Sequence, residues 1–230
     1  MYRKFLNARS PLRLLEKGLH GGLGRGNLGV VLAGHGVGKT SFLVGVALDE
    51  LLRGEHVLHV TLDQTVAHVR AFYDTVFDDL ASSTHLAEQA ITRSDVERRR
   101  SIRAYTPAQF SSARLREAVK VESEAGSRPA LVIVDGFDLA AAPHGELAEI
   151  RALAQEIDAE IWLSAALATE RIAAVPASLG AVKEIVSVVL ALEPGVESVA
   201  LRALKDHDNP DVSALHVALD PRSLLLIRSS

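Results

Sequence analysis

Apolar runs recur along the chain at Leu28 to Ala33 (LGVVLA), His56 to Leu62 (HVLHVTL), Ala130 to Asp135 (ALVIVD) and Glu160 to Ala166 (EIWLSAA). Each is short, β-branched and continuous rather than alternating, the pattern of a strand buried on both faces. Helical patterns lie between them, in residues 39–54, 65–81, 110–126 and 145–159. In the second of these, Val66, Val69, Phe72, Tyr73, Val76, Phe77 and Leu80 fall at helical spacing and predict a stripe facing the core. Two of the helical patterns end in glycine, a common helix stop. Strand alternating with helix predicts a parallel sheet with crossover helices. The tail reads differently. Residues 186–194, 198–206, 214–220 and 223–229 are strand-like and joined by short turns containing Pro, Gly, Asn or Asp. That predicts an antiparallel meander extending the sheet. Residues 82–103 read as a polar helical insertion and residues 1–20 as a lead-in segment. The fold class is therefore α/β, in one domain spanning residues 1–230.

Composition narrows this further. The 230 residues suit one such domain, and a hydrophobic share of 48% with only 4% aromatics predicts a core of Leu, Val, Ile and Ala. Cysteine is absent, which excludes disulfides and thiolate metal sites and points to a reducing, cytoplasmic setting. The first residues lack the apolar run of a signal peptide, and no uncharged apolar stretch of ~20 residues exists to span a membrane. A formal charge of −4 argues against coating nucleic acid by bulk charge.

One segment stands apart: VVLAGHGVGKTSFL, Val30 to Leu43. Glycine inside a regular element costs about 1 kcal/mol relative to alanine, so Gly34, Gly36 and Gly38 in so short a span need a reason. Between a buried strand and a helix, a glycine-rich turn aims backbone N–H groups inward at phosphate oxygens. The positive end of the helix dipole adds to this. The pattern matches G-x-x-x-x-G-K-[ST], with Ala33 at its first position. Gly34, His35, Gly36, Val37, Gly38, Lys39, Thr40 and Ser41 form the candidate phosphate cradle. In it, Lys39 reaches the β- and γ-phosphates and the Thr40 hydroxyl binds Mg²⁺. A magnesium nucleotide needs a further carboxylate, and Asp135, ending the strand ALVIVD, is placed for that role. Asp138, three residues on, reads as a turn or helix-cap residue.

Gly21 to Gly26 (GGLGRG), the phosphate loop, the helix ending Arg53-Gly54-Glu55 and the strand ending Thr61-Leu62-Asp63 together resemble the RecA-like P-loop ATPases, and within them the KaiC and DnaB branches. The likeness continues through LVIVDGFDL and the final meander. It implies a RecA-like three-layer fold, Mg²⁺ and ATP as ligands, and ATP bound between subunits of a homo-oligomer, a hexamer being one such arrangement. It also implies a carboxylate at the end of the second strand that orients the attacking water. Asp63 stands there, followed by Gln64, which cannot act as a base. A polar sensor pair is reduced to Ser164 followed by Ala165. The K-x-R pair that reaches a neighbour's γ-phosphate is replaced by Lys205-Asp206-His207, exchanging a permanent cation for a histidine that is mostly neutral at pH 7. Lys205 also reads as a solvated strand-end charge.

These departures lead to the expectation of ATP binding with slow hydrolysis, the nucleotide state controlling assembly or a protein partner. A DNA-dependent motor and a nucleotide-binding scaffold without turnover are the alternatives. Arg93, Arg98, Arg99, Arg100 and Arg103 are expected to form a solvated helix end rather than a nucleic-acid contact. His56 and His59, three apart on a strand, face opposite sides and form no metal pair. His35 reads as a tolerated loop residue or a phosphate contact, and Trp162 as core.

Overall fold

The computed structural model describes residues 12–228 except 144, 170, 210–211 and 213–214. Most of the lead-in, Glu170 and Pro210-Asp211 lie outside the described residues. The elements run α1 (Leu12–Gly18), β1 (Leu28–Ala33), α2 (Lys39–Arg53), β2 (His56–Thr61), α3 (Val66–Thr84), α4 (Gln89–Arg99) and β3 (Arg100–Ala104). After these come α5 (Ser112–Glu124), β4 (Pro129–Asp135), α6 (Glu146–Ile157), β5 (Glu160–Ala166), α7 (Gly180–Ile185), β6 (Val188–Pro194), β7 (Val199–Asp206), β8 (Val217–Leu219) and β9 (Leu226–Arg228).

The strands form one nine-stranded sheet in the order β3-β2-β4-β5-β1-β6-β7-β8-β9. From β3 to β6 every pairing is parallel, and from β6 to β9 every pairing is antiparallel. The fold is thus α/β, with a mostly parallel sheet and a C-terminal antiparallel meander. All positions of β1 and β4 are buried, as their unbroken apolar runs require. Alternate residues feed two cores. Val31, Ile133 and Trp162 join one with α1 to α4, while Val30, Val134 and Leu163 join the other with α5, α6 and α7. Helices therefore cover both faces.

Local chemistry sets the ends of the helices. Thr65 caps α3 by accepting from His68 N at 3.2 Å, and Ser111 caps α5 by accepting from Arg114 N at 3.2 Å. The α3 stripe is core as predicted, with Val69, Tyr73, Val76 and Phe77 buried.

Two expectations need correction. Residues 82–103 are not helical throughout. The segment completes α3, forms α4 and then contributes β3, which pairs in parallel with β2 from Val57↔Arg100 to Thr61↔Ala104. Its arginines disguised this edge strand, because an edge tolerates charges that a central strand does not. The last two strands are also shorter than their apolar runs, since β8 and β9 pair over only three residues each.

Candidate functional site

The parallel strands end together at one edge of the sheet. Register sets Thr61 beside Asp135, and Val31 beside Ser164, so the ends of β1, β2, β4 and β5 converge. Residues 34–38 turn from β1 into α2 at this edge. Gly38 sits at φ 105°, in the left-handed region, and a Cβ there would lie 2.6 Å from Leu219 Cδ2 of β8. The backbone conformation demands glycine, whereas the Leu219 side chain could give way. Among the described residues, the backbone N–H groups of 38–41 donate to no acceptor in the chain, and residues 35–36 form a turn ahead of them. They are the open donors of a loop and a helix start.

Lys39 folds across this loop. Its Nζ donates to Gly34 O at 2.8 Å and Ala33 O at 3.4 Å. Burial lowers its pKa, and Asp135 and Asp63 act in the opposite direction. Thr40 Oγ1 donates to Asp135 Oδ2 at 2.6 Å, and Ser164 Oγ donates to Asp135 Oδ1 in a short contact. Ser164 Oγ in turn accepts from Gly136 N at 2.9 Å, and Phe137 N donates to Ser164 O at 2.8 Å. Gly136 has φ 82°, and a Cβ on it would lie 2.6 Å from Asp63 Cγ. The glycine after Asp135 thus lets the Asp63 carboxylate approach. Burial raises the Asp63 pKa, the neighbouring Asp135 raises it further, and Lys39 acts against both.

Lys39, Thr40, Asp63 and Asp135 are therefore one electrostatic group. Ser41 is buried in the first turn of α2, while His35 and Gly36 are exposed on the loop. Asp138 holds a turn, accepting from Ala140 N and Ala141 N at 3.0 Å each. Among the described residues no cluster of three or more His, Asp or Glu side chains forms a metal cage. A magnesium ion needs none here. It takes one or two protein oxygens and completes its shell with water and phosphate, and the Thr40 hydroxyl and Asp135 carboxylate offer such a hard-oxygen pair.

Lys205 and His207 do not join this group within the chain. The antiparallel register places Asp206 beside Val188 and Val199 beside Pro194, so the end of β7 lies at the opposite edge of the sheet. Lys205 Nζ donates to Val186 O at 2.7 Å and to Lys183 O in a shorter contact. His207 Nδ1 lies 2.8 Å from Asp206 Oδ1, and its Nε2 lies 3.1 Å from Leu23 O. Asp206 also meets His20 Nδ1 at 2.6 Å. Burial opposes ionisation of Asp206, but the hydrogen bonds from His207 and His20 hold its pKa below the ordinary value.

The arginines of residues 93–103 turn to partners in the chain. Arg93 pairs with Asp78 and stacks 4.6 Å over Phe77, Arg98 and Arg99 face Asp95, Arg100 lies 4.5 Å over Tyr73, and Arg103 pairs with Glu122 at 2.7 Å. Trp162 is core, edge-on to Phe42.

Sequence reasoning missed His59. It is fully buried behind Asp135, its Nδ1 3.2 Å from Tyr73 Oη and its Nε2 3.9 Å from Asp135 Oδ2. The signal was present, since a histidine inside an otherwise apolar, doubly buried strand needs a polar partner. No helix among the described residues is long and apolar enough to cross a membrane. No protein-family model matches the chain, and no curated protein matches it.

Proposed function

We propose that the chain is a RecA-like P-loop protein of the KaiC and DnaB kind, with three layers about its sheet, that binds Mg-ATP and hydrolyses it slowly. One observation supports this most. A run of unused backbone N–H groups, a desolvated lysine and a hydroxyl–carboxylate pair converge at one strand edge. Such a cradle suits a polyphosphate, because the amides and Lys39 supply positive charge without protein anions in the loop itself. On binding, Lys39 exchanges its carbonyl partners for phosphate oxygens. Thr40 and Asp135 are the residues that would hold Mg²⁺, and Ser164 keeps Asp135 in place. Bound magnesium would neutralise charge on the β- and γ-phosphate oxygens.

Asp63 stands beside this pair and is exposed to solvent. It orients the attacking water in the net reaction of ATP and water to ADP and phosphate. Gln64 and Ala165 stand where the resemblance calls for more active groups, which accounts for slow turnover. Nucleotide state then acts on assembly with further copies of the chain, or on a protein partner. Lys205 and His207 would enter the reaction only across a subunit interface, after leaving their own carbonyls. The self-paired arginines and the net charge of −4 weigh against a DNA motor.

The test is stoichiometric ATP binding measured beside turnover, with and without single-stranded DNA. Binding near one ATP per chain with slow, DNA-independent turnover is expected. DNA-stimulated turnover favours the motor, binding without turnover favours the scaffold, and absence of binding overturns the reading.

A further inference from the structure

We propose that Leu219 is a positioning residue for the phosphate site: its side chain seats Gly38 in the conformation that aims the N–H groups of 38–41 at a bound polyphosphate. The inference rests on the nucleotide reading above, and it gives the C-terminal meander a part in that site. Gly38 sits at φ 105° and ψ 21° immediately before α2, so its two dihedrals set the direction of the peptide N–H groups on either side of it. Glycine does not hold such a conformation by itself. It populates both signs of φ about equally and loses more freedom on ordering than any other residue. The carbonyl side of Gly38 is tied to the helix, since its O accepts from Phe42 N at 2.9 Å. Its N–H side makes no hydrogen bond in the chain, so a restraint there has to come from packing.

Leu219 supplies that packing. Its Cδ2 lies 2.6 Å from the point that a Cβ on Gly38 would occupy, which puts the methyl in van der Waals contact with the Gly38 backbone. Apart from Val37 and Lys39, no other described residue places an atom within 4 Å of that point. The methyl is held in its turn. Leu219 is 1 % exposed, and its register partners Val199 of β7 and Leu226 of β9 flank it on the same face of the sheet. Val37 packs on the same apolar cluster, so two adjacent loop residues are seated on it. A built turn fixes the end of β8. Asp220 Oδ1 accepts from Arg222 N at 2.9 Å, Asp220 Oδ2 accepts from Ser223 Oγ at 2.8 Å, and Asp220 N donates to Leu225 O at 2.9 Å. A cradle ordered before its ligand arrives loses less binding free energy to ordering. The contact acts on the amides and not on Thr40 or Asp135, so its effect is the same with and without Mg²⁺.

The test is calorimetric titration with ATP and with inorganic tripolyphosphate, in Mg²⁺ and in EDTA. The proteins are wild type, Leu219→Met, Leu219→Val, Leu219→Ala and the control Val217→Ala. Val217 is 1 % exposed in the same strand and cluster and does not reach Gly38, so it reports the effect of loosening β8 alone. Leu219→Ala should lose about tenfold in affinity for both ligands, by the same factor in Mg²⁺ and in EDTA. Leu219→Val should lose less, and Leu219→Met, which keeps the volume and reach of the side chain, should bind like wild type. Val217→Ala should stay within about twofold of wild type. In ¹H–¹⁵N NMR of the proteins without ligand, the Gly38 amide should shift or broaden in Leu219→Ala and keep its wild-type position in Val217→Ala. The smaller truncation to valine keeps the comparison decisive should the alanine variant not fold. Equal affinity across the Leu219 series, or an equal loss in Val217→Ala, overturns the proposal while leaving the nucleotide reading intact. Wild type that binds neither ligand overturns both.

Discussion

The two edges of the sheet both carry charged side chains and treat them differently. At the edge that carries the loop of residues 34–38, Lys39 is desolvated against backbone carbonyls, and the N–H groups of 38–41 are left open. At the opposite edge the charges close on one another. Arg53 pairs with Glu16, Asp49 and Glu50 at 2.9, 2.7 and 2.9 Å, while His20 and His207 close on Asp206. Open donors mark a place for a ligand, whereas closed pairs tie elements together. Here they fasten α1 and the following loop to α2 and β7. Lys205 and His207 belong to the closed edge by geometry, although their sequence resembles a catalytic pair.

The largest effect expected at the open edge is on chemistry. Asp63→Asn should lower ATP turnover on the order of a hundredfold, with ATP affinity nearly unchanged. Steady-state rates beside equilibrium titration check this, and an unchanged rate moves the water-orienting role to another group.

At the closed edge the effects should be on stability. Burial first, then Glu160, Asp49, Glu55 and Glu16, raise the Glu50 pKa to about 7, against the pull of the Arg53 guanidinium 2.9 Å away. A carboxyl whose folded pKa exceeds its unfolded value stabilises the fold most below the unfolded value, near 4.5, and loses that contribution as pH rises through about 7. Denaturant unfolding should therefore show stability falling by about 2 kcal/mol over that window through this group. Glu50→Gln should flatten the fall. A wild-type profile that rises from acid to neutral pH and is unaltered by Glu50→Gln would contradict the assignment.

A smaller effect sharpens the contrast. His207→Ala removes a partner of Asp206 and of Leu23 O, and should cost about 1 kcal/mol. Turnover per chain should not change, and it should stay flat over a hundredfold dilution. A rate that falls on dilution, with His207→Arg faster than wild type, would instead move His207 to a subunit interface and break the division between edges.

The open edge was legible in the sequence because its chemistry is local. Gly34 to Thr40 encode their turn and helix start within a few residues, and Asp135 follows an apolar run that fixes its place at a strand end. The closed edge was not legible. Whether β7 ends at the glycine-rich loop or away from it depends on its pairing with β6, a long-range fact that Lys205-Asp206-His207 does not carry. Edge strand β3 hid for the same reason, since its arginines are matched by Tyr73 and Glu122, both distant in sequence. His59 lay between: its residue type signalled a polar partner, and only the packing of α3 on β2 revealed Tyr73.

The most direct test of the open edge is calorimetric titration of wild type and Lys39→Ala with ATP in Mg²⁺, with unfolding curves run on both. Wild type should bind about one ATP per chain. The variant should unfold like wild type and lose about a hundredfold in affinity, since it lacks the side-chain cation aimed at the phosphates. Equal affinity in the two proteins, or no binding by folded wild type, would contradict the account.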